Sequence, residues 1–191
     1  MTVVVLNGTS SSGKTSIAER FQDLRALAGE CWVIMGIDDF LPKLPLRWRG
    51  QPGQVGAMAA DGALVRRVGA TAVFEFGPTG HRMLTAYRRA VRAVASSGLD
   101  VLVDEVLWDD GGWDEWHSVL AGLDVKWVAV RCDPAVTAAR EAGRADRFVG
   151  LALGQANVVH RRPSYDLELD STVVSADRLA SRLDTFLRTG S

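Results

Sequence analysis

Apolar and polar positions follow two rhythms along this chain. Continuous apolar or β-branched runs occur at residues 3–6 (VVVL), 31–37 (CWVIMGI), 100–106 (DVLVDEV) and 125–132 (VKWVAVRC), the pattern of strands buried on both faces. A fifth run at 166–170 (DLELD) alternates polar with apolar and reads as a strand nearer a sheet edge. Between the runs, apolar residues return at helical spacing: Ile17, Ala18, Phe21, Leu24 and Leu27, then Met83, Leu84, Tyr87, Ala90, Val91 and Val94, then Trp113, Trp116, Val119 and Leu120, and last Leu179, Leu183 and Phe186. Gly29 and Gly98 supply stops, and Pro134 and Ser175 supply starts. A further helix is expected over 150–160. This alternation predicts an α/β fold, a doubly wound, mostly parallel five-stranded sheet with helices on both faces, in a single domain over 1–191.

The stretch 42–80 breaks the rhythm. Pro42, Pro45, Pro52 and Pro78, with many glycines, exclude a long helix, and one short strand is expected at 71–76. Leu44, Leu46, Trp48, Met58, Phe74 and Phe76 make this insertion either a covered satellite core or the wall of an acceptor pocket. Its aromatic content favours an aromatic or amphipathic acceptor over a bare sugar. Arg82, Arg88, Arg89 and Arg92 are expected on the solvated face of the helix that follows.

Composition narrows the function classes. A net charge of -1 over 191 residues gives no global attraction to nucleic acid, no apolar run reaches membrane-spanning length, and residues 3–6 are too few for a signal peptide. Cys31 and Cys132 sit in apolar runs without C-x-x-C spacing, so buried, reduced thiols and a cytoplasmic setting are expected. His117 is a lone imidazole suited to packing or the surface. The expected partner is a small molecule, and composition leaves the oligomeric state open.

The chemistry lies at strand ends. The first strand runs into Gly8-Thr9-Ser10-Ser11-Ser12-Gly13-Lys14-Thr15, which matches the phosphate-loop pattern G-x-x-x-x-G-K-[ST] in the strand-to-helix context it requires. Gly8 and Gly13 are expected to adopt backbone angles closed to other residues, turning successive N–H groups toward phosphate oxygens, and the helix start adds further donors. Lys14 suits the outer phosphates of ATP, Thr15 suits Mg²⁺, and Ser16 completes the nucleotide-binding set. Asp38-Asp39 ends the second strand beside that loop, where Asp38 can accept a proton from an acceptor hydroxyl or the pair can cap a helical turn. Asp104 ends the third strand and suits Mg²⁺, directly or through water, or else serves as a helix cap or a base. Arg140, Arg144 and Arg147, loosened by Gly143, fit a mobile lid over about 140–150 that meets phosphate charge, or else an exposed helix with surface ion pairs.

Five stretches, LNGTSSSGKTSI, VIMGIDDFLPKLPL, LVDEVLWDDGG, LDVKWVAVRCDPAVTAAREAGRADR and QANVVHRRPSYDLELDST, carry a resemblance. Nearly end to end, the chain resembles the chloramphenicol phosphotransferase family of phosphate-loop kinases, and departs from it chiefly over 51–80. The resemblance implies a fold like the small nucleoside and shikimate kinases and transfer of the γ-phosphoryl group of ATP to a primary hydroxyl of an antibiotic. It also implies Asp38 as catalytic carboxylate, Lys14 and Thr15 as phosphate and Mg²⁺ groups, and Arg140, Arg144 and Arg147 as lid arginines. The segment IDDF is also similar to uridine and pantothenate kinases. The expected function is therefore ATP-dependent, Mg²⁺-requiring O-phosphorylation of a small hydroxylated molecule, an antibiotic such as chloramphenicol. Its rivals are a metabolic kinase of a sugar, shikimate-like acid or nucleoside, and a nucleotide-binding regulatory module that contacts a partner through residues 108–116.

Overall fold

Each continuous apolar run forms a strand of one parallel sheet. The computed structural model describes all residues except 52–53, 145–147, 162–163 and 191. Its elements are β1 (Thr2–Asn7), α1 (Lys14–Leu27), β2 (Trp32–Gly36), the short α2 (Ile37–Phe40), β3 (Arg49–Gln51), β4 (Gln54–Val55), β5 (Ala63–Val68), β6 (Thr71–Phe76), α3 (Pro78–Ser96), β7 (Asp100–Glu105), α4 (Asp110–Val119), β8 (Asp124–Arg131), α5 (Pro134–Ala142), α6 (Leu151–Gln155), β9 (Leu167–Asp170) and α7 (Ala176–Thr189). The central sheet has the order β2-β7-β1-β8-β9, all pairs parallel.

Alternation along β1 explains the layers. Val3 and Val5 face one way, into a core with Val101 and Val103 of β7, Leu84, Tyr87 and Val91 of α3, and Trp113 and Trp116 of α4. Val4 and Leu6 face the other way, against Ile17, Ala18 and Phe21 of α1 and Leu179, Leu183 and Phe186 of α7. Both faces are covered, which is why these strands carry no polar alternation. β9, at the edge, buries Leu169 while Glu168 and Asp170 remain exposed.

Four expectations change. The insertion 42–80 holds a second sheet of order β4-β3-β5-β6, where one strand was expected. Its strands owe their existence to pairing across the chain, Arg49 beside Ala63 and Ala63 beside Phe76. The helix expected over 150–160 is confined to α6, which packs Leu151 against Val65 and Ala72 of the second sheet. Arg88, expected in solvent, is buried; it pairs with Glu115 of α4 and lies 5.8 Å from the centre of the Trp116 ring. Cys31 is exposed because β2 begins one residue later, where Trp32 takes the buried place edge-on to Phe21. His117 packs beside Trp113 and Trp127, as a packing role requires. No helix among the described residues is long and apolar enough to cross a membrane.

Glu105, the last residue of β7, is fully enclosed; one oxygen accepts from the Val106 amide and the other has no partner. Burial raises its pKa from 4.5 to about 7, opposed by the nearby Arg88 guanidinium. The unfolded chain therefore releases this proton first, so stability present below pH 4.5 is lost as pH rises through about 7. The loss is of the order of 3 kcal/mol. Denaturant melts of wild type and Glu105→Gln across that window are expected to diverge, wild type losing stability relative to the variant as pH rises, with the variant more stable at pH 8.

Candidate active site

Parallel pairing brings the chemistry-bearing strand ends together. In the β1–β7 register Leu6 stands beside Asp104, and β2 places Gly36 beside Asp104 from the other side. Three strand ends thus open on one site at their carboxyl termini. The Thr15 hydroxyl donates to Asp104 Oδ2 at 2.5 Å, and Lys14 Nζ lies 3.6 Å from Asp104 Oδ1 while donating to the Thr9 carbonyl at 2.9 Å. Lys14 is only 5% exposed, so its charge is held against the loop rather than extended into water.

The loop is shaped for an anion. Gly13 has φ 90°, as expected, and Ser11 also occupies the left-handed region at φ 59°, an uncommon conformation for a residue with a side chain. Gly8 is required for a different reason than the sequence indicates. Its φ is not positive, but a Cβ there would stand 2.5 Å from the Val130 carbonyl oxygen and 2.7 Å from Ser12 Oγ. The hydroxyls of Ser10, Ser11 and Ser12 are buried without a partner. Unsatisfied donors beside a buried lysine and a helix start fit phosphate oxygens. Thr15 and Asp104 fit Mg²⁺, which takes one or two protein oxygens and completes its shell with phosphates and water. Among the described residues no cluster of three His, Cys, Asp or Glu side chains forms a self-sufficient metal site.

The two adjacent acids after β2 diverge. Asp39 Oδ2 accepts from the Gly36 amide at 2.8 Å, closing the turn that starts α2. Asp38 lines the main cavity, a space of about 730 Å³ that also contains Lys14, Thr15, Asp104 and Arg144. Farther from the loop the wall is aromatic: Phe74 and Phe76 of β6 stack with Trp108, the Phe76 and Trp108 rings 5.6 Å apart and 4° from parallel. A second cavity of about 420 Å³ adjoins the loop on its other side, between Gly13, Arg140, Arg144, Ser171, Val174 and Leu179. Ser16 lines both cavities. Arg140 is placed there by Nη2 donating to the Ser171 carbonyl at 2.8 Å, and Ser171 Oγ in turn donates to the Ser12 carbonyl at 2.6 Å. Arg147 lies outside the described residues.

Several residues that hold this site have no motif. Gln155 Oε1 accepts from the Ser10 amide at 2.6 Å, fastening α6 to the phosphate loop. Buried Glu141 accepts from the Gly150 and Ala152 amides at 2.6 and 2.9 Å, joining the two ends of the arginine segment. Asn7 accepts from the Leu107 amide and donates to the Val159 carbonyl and the Tyr165 hydroxyl, which in turn lies 3.0 Å from His160 Nδ1. Burial, aided by Arg131, lowers the His160 pKa to about 4, so at neutral pH it is an uncharged strut. Sequence offered a partial signal for this network, since HRRPSY already stood out; only the contact with Asn7 explains it.

A central parallel strand feeding a Gly-Lys-Thr loop, with acids ending the flanking strands, defines a phosphate-loop kinase fold. Solved structures share it: the Mycobacterium tuberculosis APS kinase CysC in complex with AMPPNP and APS (19% identity, 98% of each chain, TM-score 0.69) and a sugar kinase from Janibacter sp. HTCC2649 (17% identity, 98% of this chain and 95% of that one, TM-score 0.68). A model described as chloramphenicol phosphotransferase-like protein matches residues 1–188, and the chain belongs to that family. A Mycobacterium tuberculosis H37Rv protein named as a candidate O-phosphotransferase, Rv2636, is 35% identical over 188 residues, 95% of this chain and 80% of its own. The protein is accordingly an enzyme, a phosphotransferase with a hydroxyl acceptor.

Close backbone approach at Gly8 gives a stability test. Gly8→Ala is expected to cost about 1–3 kcal/mol through overpacking. Gly143→Ala, whose Cβ meets nothing nearer than 3.7 Å, should stay within about 0.5 kcal/mol of wild type. Paired thermal melts check the contrast.

Proposed function

We propose that the protein transfers the γ-phosphoryl group of ATP to a hydroxyl of a small, ring-bearing molecule, with Mg²⁺ as the accompanying ion. The observation that carries this reading is one cavity with two unlike ends: Lys14, Thr15 and Asp104 at the loop, and the Phe74, Phe76 and Trp108 wall away from it, with Asp38 also on its lining. ATP would supply the electrophilic phosphorus, and a bound Mg²⁺ would neutralise phosphate charge during transfer. The loop amides and hydroxyls from Gly8 to Ser12 and Gly13 cradle the phosphates, and Lys14 moves from the Thr9 carbonyl onto the outer ones. Thr15 and Asp104 would hold that ion. The second cavity, closed by Arg140 and Val174, accommodates the nucleoside.

Asp38 receives the acceptor proton. Its carboxylate is exposed on the cavity wall at the end of β2, while Asp39 is engaged by Gly36 and keeps the turn in shape. Catalysis then rests on positioning and charge neutralisation. Arg140, Arg144 and Arg147 belong to a lid over about 140–150 that neutralises the transferred group and excludes water, which would otherwise compete as acceptor. The unit is a single domain over 1–191, with 42–80 as its acceptor side. Free thiols at Cys31 and Cys132 and dependence on ATP favour a cytoplasmic setting.

The acceptor read most directly from the family is a hydroxylated antibiotic such as chloramphenicol, whose ring matches an aromatic wall. Incubation with ATP, Mg²⁺ and a panel of hydroxylated antibiotics, nucleosides, sugars and hydroxy acids is expected to give a product heavier by one phosphoryl group. No product from any acceptor would refute the reading. Asp38→Asn is expected to bind ATP normally while transfer falls by about 10²–10⁴-fold; unchanged turnover would remove Asp38 from the mechanism.

A further inference from the structure

Arg49 has no counterpart in the chemistry described so far. It ends the short turn after Trp48 and begins β3, half-buried on the lining of the main cavity. Its Nε is enclosed without a hydrogen-bond partner, and its guanidinium pairs with no carboxylate among the described residues. Asp39 and Asp104 line the same cavity, but their carboxylates are engaged elsewhere, by the Gly36 amide and by Lys14 and Thr15. The buried Arg25 and Arg88 also have an Nε without a hydrogen-bond partner, but each meets a carboxylate, Arg25 those of Glu30 and Asp184 and Arg88 that of Glu115. A guanidinium with an enclosed, unsatisfied N–H group beside an apolar wall costs stability unless a ligand completes it.

Register tells where that ligand sits. Arg49 is beside Ala63, and Ala63 is beside Phe76, so one row across the second sheet reads Arg49, Ala63, Phe76. The neighbouring row on the same face is Val65 and Phe74. Arg49, Ala63, Phe76 and Trp108 line the same cavity, and the position between the arginine and Phe76 in this row carries only a methyl group. A ring lying on Phe76 and Trp108 therefore carries its substituent over Ala63 to Arg49.

We infer that the acceptor bears an anionic group, a carboxylate, sulfate or phosphate, that Arg49 binds through its planar fork while the ring packs on Phe74, Phe76 and Trp108. This deepens, and rests on, the phosphotransferase reading. It narrows the acceptor to an anionic hydroxylated ring compound, in preference to neutral alcohols such as chloramphenicol. Arginine suits the task because its fork meets two anion oxygens at once and keeps its charge in an apolar wall.

The test uses simple probes and does not depend on turnover. Binding of 4-(hydroxymethyl)benzoate, 4-(hydroxymethyl)benzenesulfonate and the neutral 4-(hydroxymethyl)benzamide is measured by ligand-observed NMR on the full chain, with Mg²⁺ and AMPPNP present. At least one anion is expected to bind about ten-fold or more tighter than the amide, the range of a charge-assisted contact. The preference should vanish in Arg49→Gln, return in part in Arg49→Lys, and weaken with salt. AMPPNP affinity should be equal in all three proteins, which also reports their folding. Equal or absent binding of the three probes to wild type overturns the inference, as does a preference that survives Arg49→Gln. Loss of AMPPNP affinity in Arg49→Gln with the probe preference intact would assign Arg49 to the nucleotide instead, and also overturns it. Failure of the phosphotransferase reading is separately visible, as absence of product from every acceptor despite probe binding.

Discussion

The in-register parallel pairing of β1 with β7 is the constraint on which the rest depends. A parallel ladder aligns strand ends, so the last residues of β1 and β7 emerge at one level: Leu6 beside Asp104 and Asn7 beside Glu105. From that alignment follow the 2.5 Å contact of Thr15 with Asp104 and the parking of Lys14 between Asp104 and the Thr9 carbonyl. A slip of one residue would turn Asp104 into the sheet face and a valine toward the loop. Asn7 locks the register by accepting from the Leu107 amide just past β7.

A second dependence runs through α6. This five-residue helix touches three parts of the site: Gln155 holds the Ser10 amide, Gly150 and Ala152 are held by Glu141, and the Gly150 carbonyl accepts from the Ala72 amide of β6. The approach to β6 is so close that a Cβ at Gly154 would stand 2.4 Å from the Ala72 carbonyl oxygen. Packed interfaces of this kind move as units. The arginine segment, the phosphate loop and the aromatic wall are therefore linked through α6, by the buried side chains of Glu141 and Gln155 and by the backbone contact of Gly150 with Ala72.

Much of this was legible in advance, and the exceptions share a cause. Fully buried strands announce themselves by unbroken apolar runs, and the loop by its glycines and lysine, because those requirements are local. Asp38 and Asp104 were legible because they end such runs. The second sheet was not, since β3 and β4 are too short to carry a period and exist only through pairing with one another and with β5. Arg88 was misread for a related reason: its helix position is polar by pattern, but Glu115 of α4 supplies the charge that lets it be buried. Gln155 and Asn7 act through contacts far along the chain, and Glu141 through amides nine and eleven residues on, and none of them leaves a spacing to recognise. Even Gly8, found by motif, is needed for a contact with Val130 that the motif does not describe.

The contrast between Asp38 and Asp39 shows how the two halves of the site are built separately. Asp39 spends its carboxylate on the Gly36 amide and so fixes the direction in which the chain leaves β2. That turn sets Asp38 on the cavity lining and carries the chain through residues 41–48 into the second sheet. The proposed phosphate end is thus made by the central sheet and its register, whereas the proposed acceptor end is made by a separately paired sheet plus Trp108. On the proposed reading, a change of acceptor falls chiefly on β3, β5, β6 and Trp108, of which Phe76 and Trp108 also pack against the core on one face of the central sheet. The Arg49, Ala63 and Phe76 row is the place where such a change would alter charge, space and stacking independently.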